Sequence, residues 1–535
     1  GRSPDLDQHY SRTLQKQQDG VYTCRSSEQL PLTITRQVVD KDGKQRINVV
    51  IKALDTVYFN YGEQIKTGYR HSDCQFYMPG FWYRQNLRSP EKAPSFHTSD
   101  SWLVREDRLS TPLTATFNSS KGKSMSVIRI DKFDKEALAT HKEGEVIVSG
   151  ETSIGYTGFE NIGGMTVLSY GFPYKEAPKT YIRKLTLAPS VEAFQLLRKG
   201  DSITLTWELS EIDAADFSEC VQRTWEYCYD TNHPQPVNTP YTVDRMKEVL
   251  SNFFVESYVN TTSAHYYSGV ELKTATCDNT DVAEVGFVGR TLLNAFNALE
   301  YGSQQNRPEL VNSANNIFDT YLTNGFSPAG FFNEVVHYNR DFKEPNLSIR
   351  RQSEGVYAIL NYLDYEKQHK RKHPEWENRL KVILDSFLRL QNADGSFPRK
   401  FKDDFSIVDG TGGSTPSATL PLVMAYKYFK DKRYLESAKC TVDYLENELI
   451  SKSDYFSSTL DANCEDKEAS LYAATATYYL ALVTKGTERS HYAELCKKAA
   501  YFALSWYYTW DVPFAEGQML GDIGQIGRAS CRERG

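Results

Sequence analysis

Helical stretches without charge alternate with charged amphipathic ones through the second half of the chain. Residues 469–483 read ASLYAATATYYLALV with no charged position, whereas 488–510 spaces Tyr492, Leu495, Ala499 and Phe502 among Arg489, Glu494, Lys497 and Lys498. A helix apolar on every side is buried, and a helix with one apolar stripe shows its other face to water. The same couple recurs as 414–426 with 433–450, 355–363 with 374–390, and 285–299 with 308–322. The buried members begin near 285, 355, 414 and 469, in steps of 70, 59 and 55 residues. Such steps are too uneven for a short solenoid repeat and suit helical hairpins with long loops. The pattern predicts an inner ring of helices inside an outer one, with a further helix at 243–258.

The first 235 or so residues have period two instead. In 201–210 (DSITLTWELS), Ile203, Leu205, Trp207 and Leu209 alternate with polar neighbours, and similar short runs occur at 47–51, 113–117, 126–130, 145–148, 165–170 and 181–187. These predict strands of a half-buried antiparallel sheet, with Lys199-Gly200-Asp201 as a hairpin turn before the last. Many short strands with Gly and Pro punctuation predict a sandwich, and the three prolines within 232–240 mark a linker. The expected organisation is a β-sandwich domain over 1–235 and a helical domain over 241–525. Residues 526–534 read IGRASCRER, the translation of a common sequencing adapter in one frame, so 526–535 is expected to be a non-native tail. The pattern supplies nine helices, short of a closed ring of six hairpins, so the expected ring is open, truncated at its C-terminal end and apolar at its edge.

Composition narrows the function classes. The chain has 535 residues, of which 40% are hydrophobic and 13% aromatic, enough for a large core in two or three domains. A net charge of −7 offers no broad basic face, so nucleic acid is not an expected partner. The charge-free runs fall short of the roughly 18 to 20 apolar residues of a membrane span. Nine cysteines show neither CxxC pairs nor metal-finger spacing, and an odd count spread this widely argues against a disulfide framework. Neither a nucleotide loop nor a zinc signature is present. No cofactor or metal is expected, although scattered Asp and Asn leave calcium open. The chain starts at Gly1, so the lack of a visible secretion signal carries little weight.

A β-sandwich followed by a ring of helical hairpins, with an outer helix closed by QNADGSF (391–397), resembles the six-hairpin glycosidase superfamily. Many of its members come from bacteria that digest polysaccharides. The resemblance spans most of the chain and rests on architecture and loops, without a single family's catalytic signature. It implies an antiparallel β-sandwich followed by an incomplete (α/α)6 toroid, a carbohydrate substrate, and a periplasmic or secreted location. It also implies that the N-termini of the inner helices converge, so that the loops leading into them form the mouth of a pocket.

Glycosidic cleavage needs a carboxylic acid to protonate the leaving oxygen and a carboxylate to activate water or attack carbon. The resemblance implies the inverting variant. LDANCEDKE (460–468) supplies Asp461, Glu465, Asp466 and Glu468 just before a charge-free helix, and IRRQSEGVY (349–357) sets Glu354 beside Arg350 and Arg351. Asp409 lies in VDGTGGSTP (408–416), whose glycines let backbone approach a ligand, and Glu334, His337 and Asp341 follow Gly330 in a long loop. Glu354, Asp409, Glu465 and Asp466 are the expected catalytic group. Competing structural roles are helix capping for the acidic cluster, an i,i+4 surface pair for Arg350 with Glu354, and plain turn chemistry for Asp409.

Sugar faces call for aromatic rings, and hydroxyls or carboxylates for bidentate donors. Trp82, Arg84, His337, Tyr338, Arg350, Arg351, Asp461 and Trp510 are therefore the expected substrate contacts, with FWYR (81–84) and WLVREDR (102–108) as notable clusters. A glycoside hydrolase is the first expectation. A polysaccharide lyase is second: a Tyr or His would take a proton while Arg neutralises a uronate, using Tyr338, His337, Arg350 and Arg351. A non-catalytic glycan-binding protein is third.

Overall fold

In a computed structural model the described residues are 4, 13–27, 30–89, 91–131, 133, 146–149, 152–183, 186–234, 236, 241–267, 269–271, 276–278, 282–287, 290–339, 341, 343–456, 465–510 and 512. Asp461 and the 526–535 tail lie outside them. The chain divides into two compact units, residues 1–235 with 462–467 and 501–535, and residues 236–461 with 468–500.

Alternating apolar residues build the first unit, which also takes in 462–467 and 501–535, residues expected in the helical domain or tail. Among the described residues it holds a nine-stranded and an eight-stranded sheet, antiparallel except where Val146–Ser149 runs parallel to Thr186–Leu197. In the nine-stranded sheet, Ser202–Asp213 lies between Lys44–Ala53 and Lys123–Arg129, with Ile203 opposite Ile51 and Leu209 opposite Val127. That register turns Leu205 and Trp207 inward. They join Val49, Phe76 and Trp82 from the same sheet and Trp102, Phe159 and Leu168 from the other in one core. The outer face is covered by helix α1 (Phe217–Asn232), which the sequence reading did not anticipate. Asp216 caps α1 at the Glu219 amide, and Tyr227 donates a 2.8 Å hydrogen bond to Glu208 on the sheet.

The Gly200 turn is present, with φ of +93°, but it is not a hairpin. The strand before it, Thr186–Leu197, pairs within the eight-stranded sheet and the strand after it within the nine-stranded sheet. The turn carries the chain from one sheet to the other.

The second unit is helical: α2 (Val243–Ser257), α3 (Thr291–Gln304), α4 (Pro308–Asn324), α5 (Ile349–Gln368), α6 (Pro374–Leu390), α7 (Pro416–Phe429), α8 (Lys432–Tyr444), α9 (Lys467–Val483) and most of α10 (Gly486–Leu504). Proline at the first helical position starts α4, α6 and α7, where its missing N–H costs no hydrogen bond. Helix α5 packs on both α3 and α7, while α4 packs on α3 and α8 on α7. Lys439 reaches Glu488 at 2.8 Å and His491 reaches Glu446 at 2.7 Å, linking α8 and its continuation to α10.

Two expectations need correction. The expected helix does not begin at 285: Val282–Glu284 is a strand paired with Val335–His337, residues 285–287 follow it outside any helix, and α3 starts at Thr291. Helix α9 is not buried all round either, because Tyr478, Tyr479 and Leu482 are exposed. Among the described residues no helix is long and apolar enough to cross a membrane.

Candidate functional site

The helical unit encloses a cavity of about 170 Å³ lined by Val285, Arg290, Leu293, Ser353, Glu354, Tyr357, Pro416, Ser417, Leu420, Pro421, Tyr472 and Thr475. These residues come from the N-terminal parts of α3, α5, α7 and α9 and from the 285–290 segment.

Glu354 is the carboxylate in that lining. It sits in the second turn of α5, whose N-cap Ser348 accepts a hydrogen bond from the Arg351 amide. One oxygen, Oε1, accepts from the Tyr472 hydroxyl at 2.8 Å and from Arg350 Nε at 3.3 Å, and lies 3.6 Å from an Arg290 guanidinium nitrogen. The other, Oε2, accepts from the Phe287 amide at 2.6 Å. Both oxygens are thus occupied by donors.

The backbone is shaped to allow this. Phe287 and Arg290 hold φ of +60° and +38°, sparsely populated for residues with a side chain. Before them, a Cβ on Gly286 would stand 2.3 Å from Glu354 Oε2, so only glycine lets the strand end approach the carboxylate. Phe287 thereby presents its amide to Glu354, and Arg290 stands beside the cavity, 42% exposed.

Arg350 is no surface pair. Its side chain is 5% exposed, reaches Glu468 at 2.8 Å as well as Glu354, and lies over the rings of Phe287 and Tyr472 at 5.7 and 5.6 Å. Burial pushes the Tyr472 phenol well up, and the Glu354 charge pushes it further, so Tyr472 keeps its proton. On the cavity wall the Ser353 hydroxyl is buried and has no hydrogen-bond partner among the described residues. Buried hydroxyls are ordinarily paired, so this one is available to a ligand.

Behind the cavity lies Glu334, 3% exposed, with its carboxylate against the Ser348 amide, the Ser348 hydroxyl at 3.3 Å, Gln352 Nε2 at 3.3 Å and Arg351 at 3.7 Å. Burial raises its carboxyl to about 7 despite these donors.

The other expected residues are placed elsewhere. Asp409 ends the Ile407–Asp409 strand, held by Thr411 and by Arg399 at 3.1 Å. Burial raises its carboxyl, but the Thr411 hydrogen bonds and the Arg399 charge outweigh that and keep it low. Glu465 and Asp466 belong to the β-rich unit, where Glu465 pairs with Arg84 at 2.8 Å. Trp82 is fully buried in the sheet core beside Trp102 and Phe159. Trp510 is buried with Ile154 and Tyr174, its indole N–H on the Leu109 carbonyl. Neither ring is open to a glycan, which corrects both assignments. His337 lies in the Val335–His337 strand, Tyr338 packs near His265 at 5.8 Å, and Asp341 is exposed. Arg351 contacts Phe287 and Glu334.

Of the residues expected from sequence, Glu354 lines this cavity and Arg350 contacts it, whereas Gly286, Phe287, Arg290, Ser353 and Tyr472 were not among those expected. The signal for the first three was the GFVGR run, whose two glycines break a helix. Tyr472 and Ser353 sit inside helices with nothing in the local pattern to mark them. Among the described residues no group of acidic, His or Cys side chains could hold a metal ion.

No protein-family model matches the chain, and no curated protein matches it. Solved structures do. A polysaccharide lyase is 10% identical and is matched over 92% of this chain and 73% of its own, with a TM-score of 0.45. The unsaturated glucuronyl hydrolase of Bacillus sp. GL1 is 14% identical over 54% of this chain and 72% of its own, with a TM-score of 0.34. A cellobiose 2-epimerase from Bacillus thermoamylovorans is 14% identical over 47% and 68%, with a TM-score of 0.36. All three are named for carbohydrate chemistry, and at these identities and TM-scores the reaction of this chain has to be argued from the site itself.

Proposed function

We propose that the chain is a glycan-processing enzyme whose helical unit, an open toroid, binds a uronate-containing glycan and cleaves it by β-elimination. The observation carrying this reading is the make-up of the cavity. Its one lining carboxylate among the described residues, Glu354, accepts hydrogen bonds on both oxygens, so neither is placed to hand a proton to a leaving oxygen. Beside it stand a phenol that keeps its proton, Tyr472, and a half-exposed guanidinium, Arg290.

Elimination needs the uronate carboxylate neutralised so that the proton on the neighbouring carbon becomes removable, a base for that proton, and an acid for the leaving oxygen. Arg290 supplies the neutralising charge, Tyr472 is the acid of this reading and Glu354 the base: the carbon's proton passes to the Glu354 carboxylate as the Tyr472 proton goes to the leaving oxygen, and the 2.8 Å hydrogen bond between the two side chains returns it to the phenolate. Ser353 offers a hydrogen bond to a sugar hydroxyl.

The second reading is the glycoside hydrolase first expected, favoured by Glu354 and Glu468 both contacting Arg350. Incubation with a panel of uronate polymers separates them. Ultraviolet absorbance from unsaturated products is expected. Reducing ends without that absorbance would establish hydrolysis, and neither signal would leave a binding protein.

A further inference from the structure

We propose that Glu334 is the positioning residue of this site, one side chain and its own carbonyl fixing both of the elements that hold Glu354. The inference rests on the glycan-processing reading only for its kinetic test.

The first element is α5. The Glu334 carboxylate accepts from the Ser348 amide and hydroxyl and from Gln352, and it faces Arg351. Ser348 is the N-cap of α5, so these bonds fix the turn from which Arg350 and Glu354 project. Gln352 is fully buried and clamps the same segment, exchanging hydrogen bonds with the Phe332 amide at 3.0 Å and carbonyl at 2.8 Å.

The second element is the strand and turn at 282–287. The Glu334 carbonyl accepts from the Val285 amide at 3.0 Å, just beyond the Glu284–Val335 end of the strand pair. Two residues later the Phe287 amide meets Glu354. A shift of Glu334 therefore moves the carboxylate and its amide donor relative to each other.

The arrangement also makes the position sensitive to charge. The groups facing the Glu334 carboxylate are Arg351 of α5, Ser348 and Gln352, with the buried phenol of Tyr321 of α4 close enough to be raised by it. Burial lifts the Glu334 carboxyl to about 7. Below that pH the carboxyl is neutral and Arg351 loses its counter-charge; above it the pair is ionic and Arg351 is held back.

The test compares Glu334→Gln, which keeps hydrogen bonding but not charge, with Tyr321→Phe, which removes the hydroxyl's bond to the Asn333 carbonyl in the same strap and leaves the charge alone. Glu334→Gln is expected to lower kcat on the uronate polymer at least tenfold with KM changed less than threefold. It should also abolish the limb of the wild-type pH profile near 7 and speed amide exchange at Phe287 at least tenfold. Tyr321→Phe should lower Tm and leave the pH profile in place. Unchanged exchange at Phe287 together with an unchanged pH profile in Glu334→Gln overturns the proposal. If the wild-type protein turns over no uronate polymer, the functional reading fails, and exchange at Phe287 alone decides the role of Glu334.

Discussion

At the scale of single residues, Glu354 does two jobs that a neutral amide cannot do together. It accepts from Tyr472 and Phe287 and balances Arg350 and Arg290. Glu354→Gln leaves Arg350 with Glu468 as its partner, so the fold should survive while turnover on the uronate polymer falls by roughly 10²-fold or more. Circular dichroism beside the absorbance assay checks both halves, and full activity with an intact fold would remove Glu354 from the site. Arg290 is different, being 42% exposed and bonded through Nε to the Phe287 carbonyl. Arg290→Ala should leave stability within about 1 kcal/mol. A hydrogen bond to a charged group contributes about 1.5–3 kcal/mol, so kcat/KM for an anionic glycan should fall by roughly one to two orders of magnitude. A neutral glycan should show no such loss.

At the scale of elements, the decisive piece is the strand and turn at 282–287. Its hydrophobic content reads as the head of a helix, which is why the sequence reading began a helix at 285. The pairing of Val282–Glu284 with Val335–His337 pulls it out of the helix, a tertiary constraint that overrides local pattern. Gly286→Ala should therefore be disproportionately harmful for one methyl group. The new Cβ would lie 2.3 Å from Glu354 Oε2 and 3.1 Å from the Arg351 Cα, forcing the Phe287 amide off the carboxylate. Most of the activity should be lost with a Tm drop of only a few degrees; thermal melts and the elimination assay read the two effects separately. By contrast, the amphipathic helices were legible. Residues 374–390 form α6 as expected, with Trp376, Leu380, Ile383, Leu384 and Phe387 on its buried face, because a 3.6-residue period and an initial proline leave little else for that stretch to do.

At the scale of the molecule, stability and pH are coupled through two buried carboxyls, one in each unit. Glu106 is fully buried on Arg129 and the Gly155 amide, and burial raises it to about 7 against those partners. Glu334 is raised to about 7 in the same way. A carboxyl with a folded pKa above its unfolded value of 4.5 binds its proton more tightly in the native state. Its contribution is complete below about 4.5 and is lost as pH rises to about 7. Tm should therefore decline over that window, and Glu106→Gln should flatten the decline for the β-rich unit by on the order of a few degrees. Scanning calorimetry at several pH values gives the answer, and an unchanged slope in the variant would rule out this assignment. In the shared core of the two sheets, Trp207→Ala should cost about 3–5 kcal/mol, since Trp207 is 1% exposed and packs on Tyr61 and Tyr170.

The sequence by itself pointed to β-rich segments before helical ones, to several of the strands and to the amphipathic helices. It also pointed to α5 as a helix whose start carries chemistry. These follow from period and end signals, which act over a few residues. Which side chains meet was decided only by tertiary structure. Trp82, Trp510 and Glu465 have the composition of a sugar site and are instead buried or paired in the β-rich unit, whereas Tyr472 and Arg290, unremarkable in their local sequence, meet Glu354 across more than sixty residues. Burial, counter-charge and the left-handed turn at Phe287 arise from contacts between distant segments, and no local pattern encodes them.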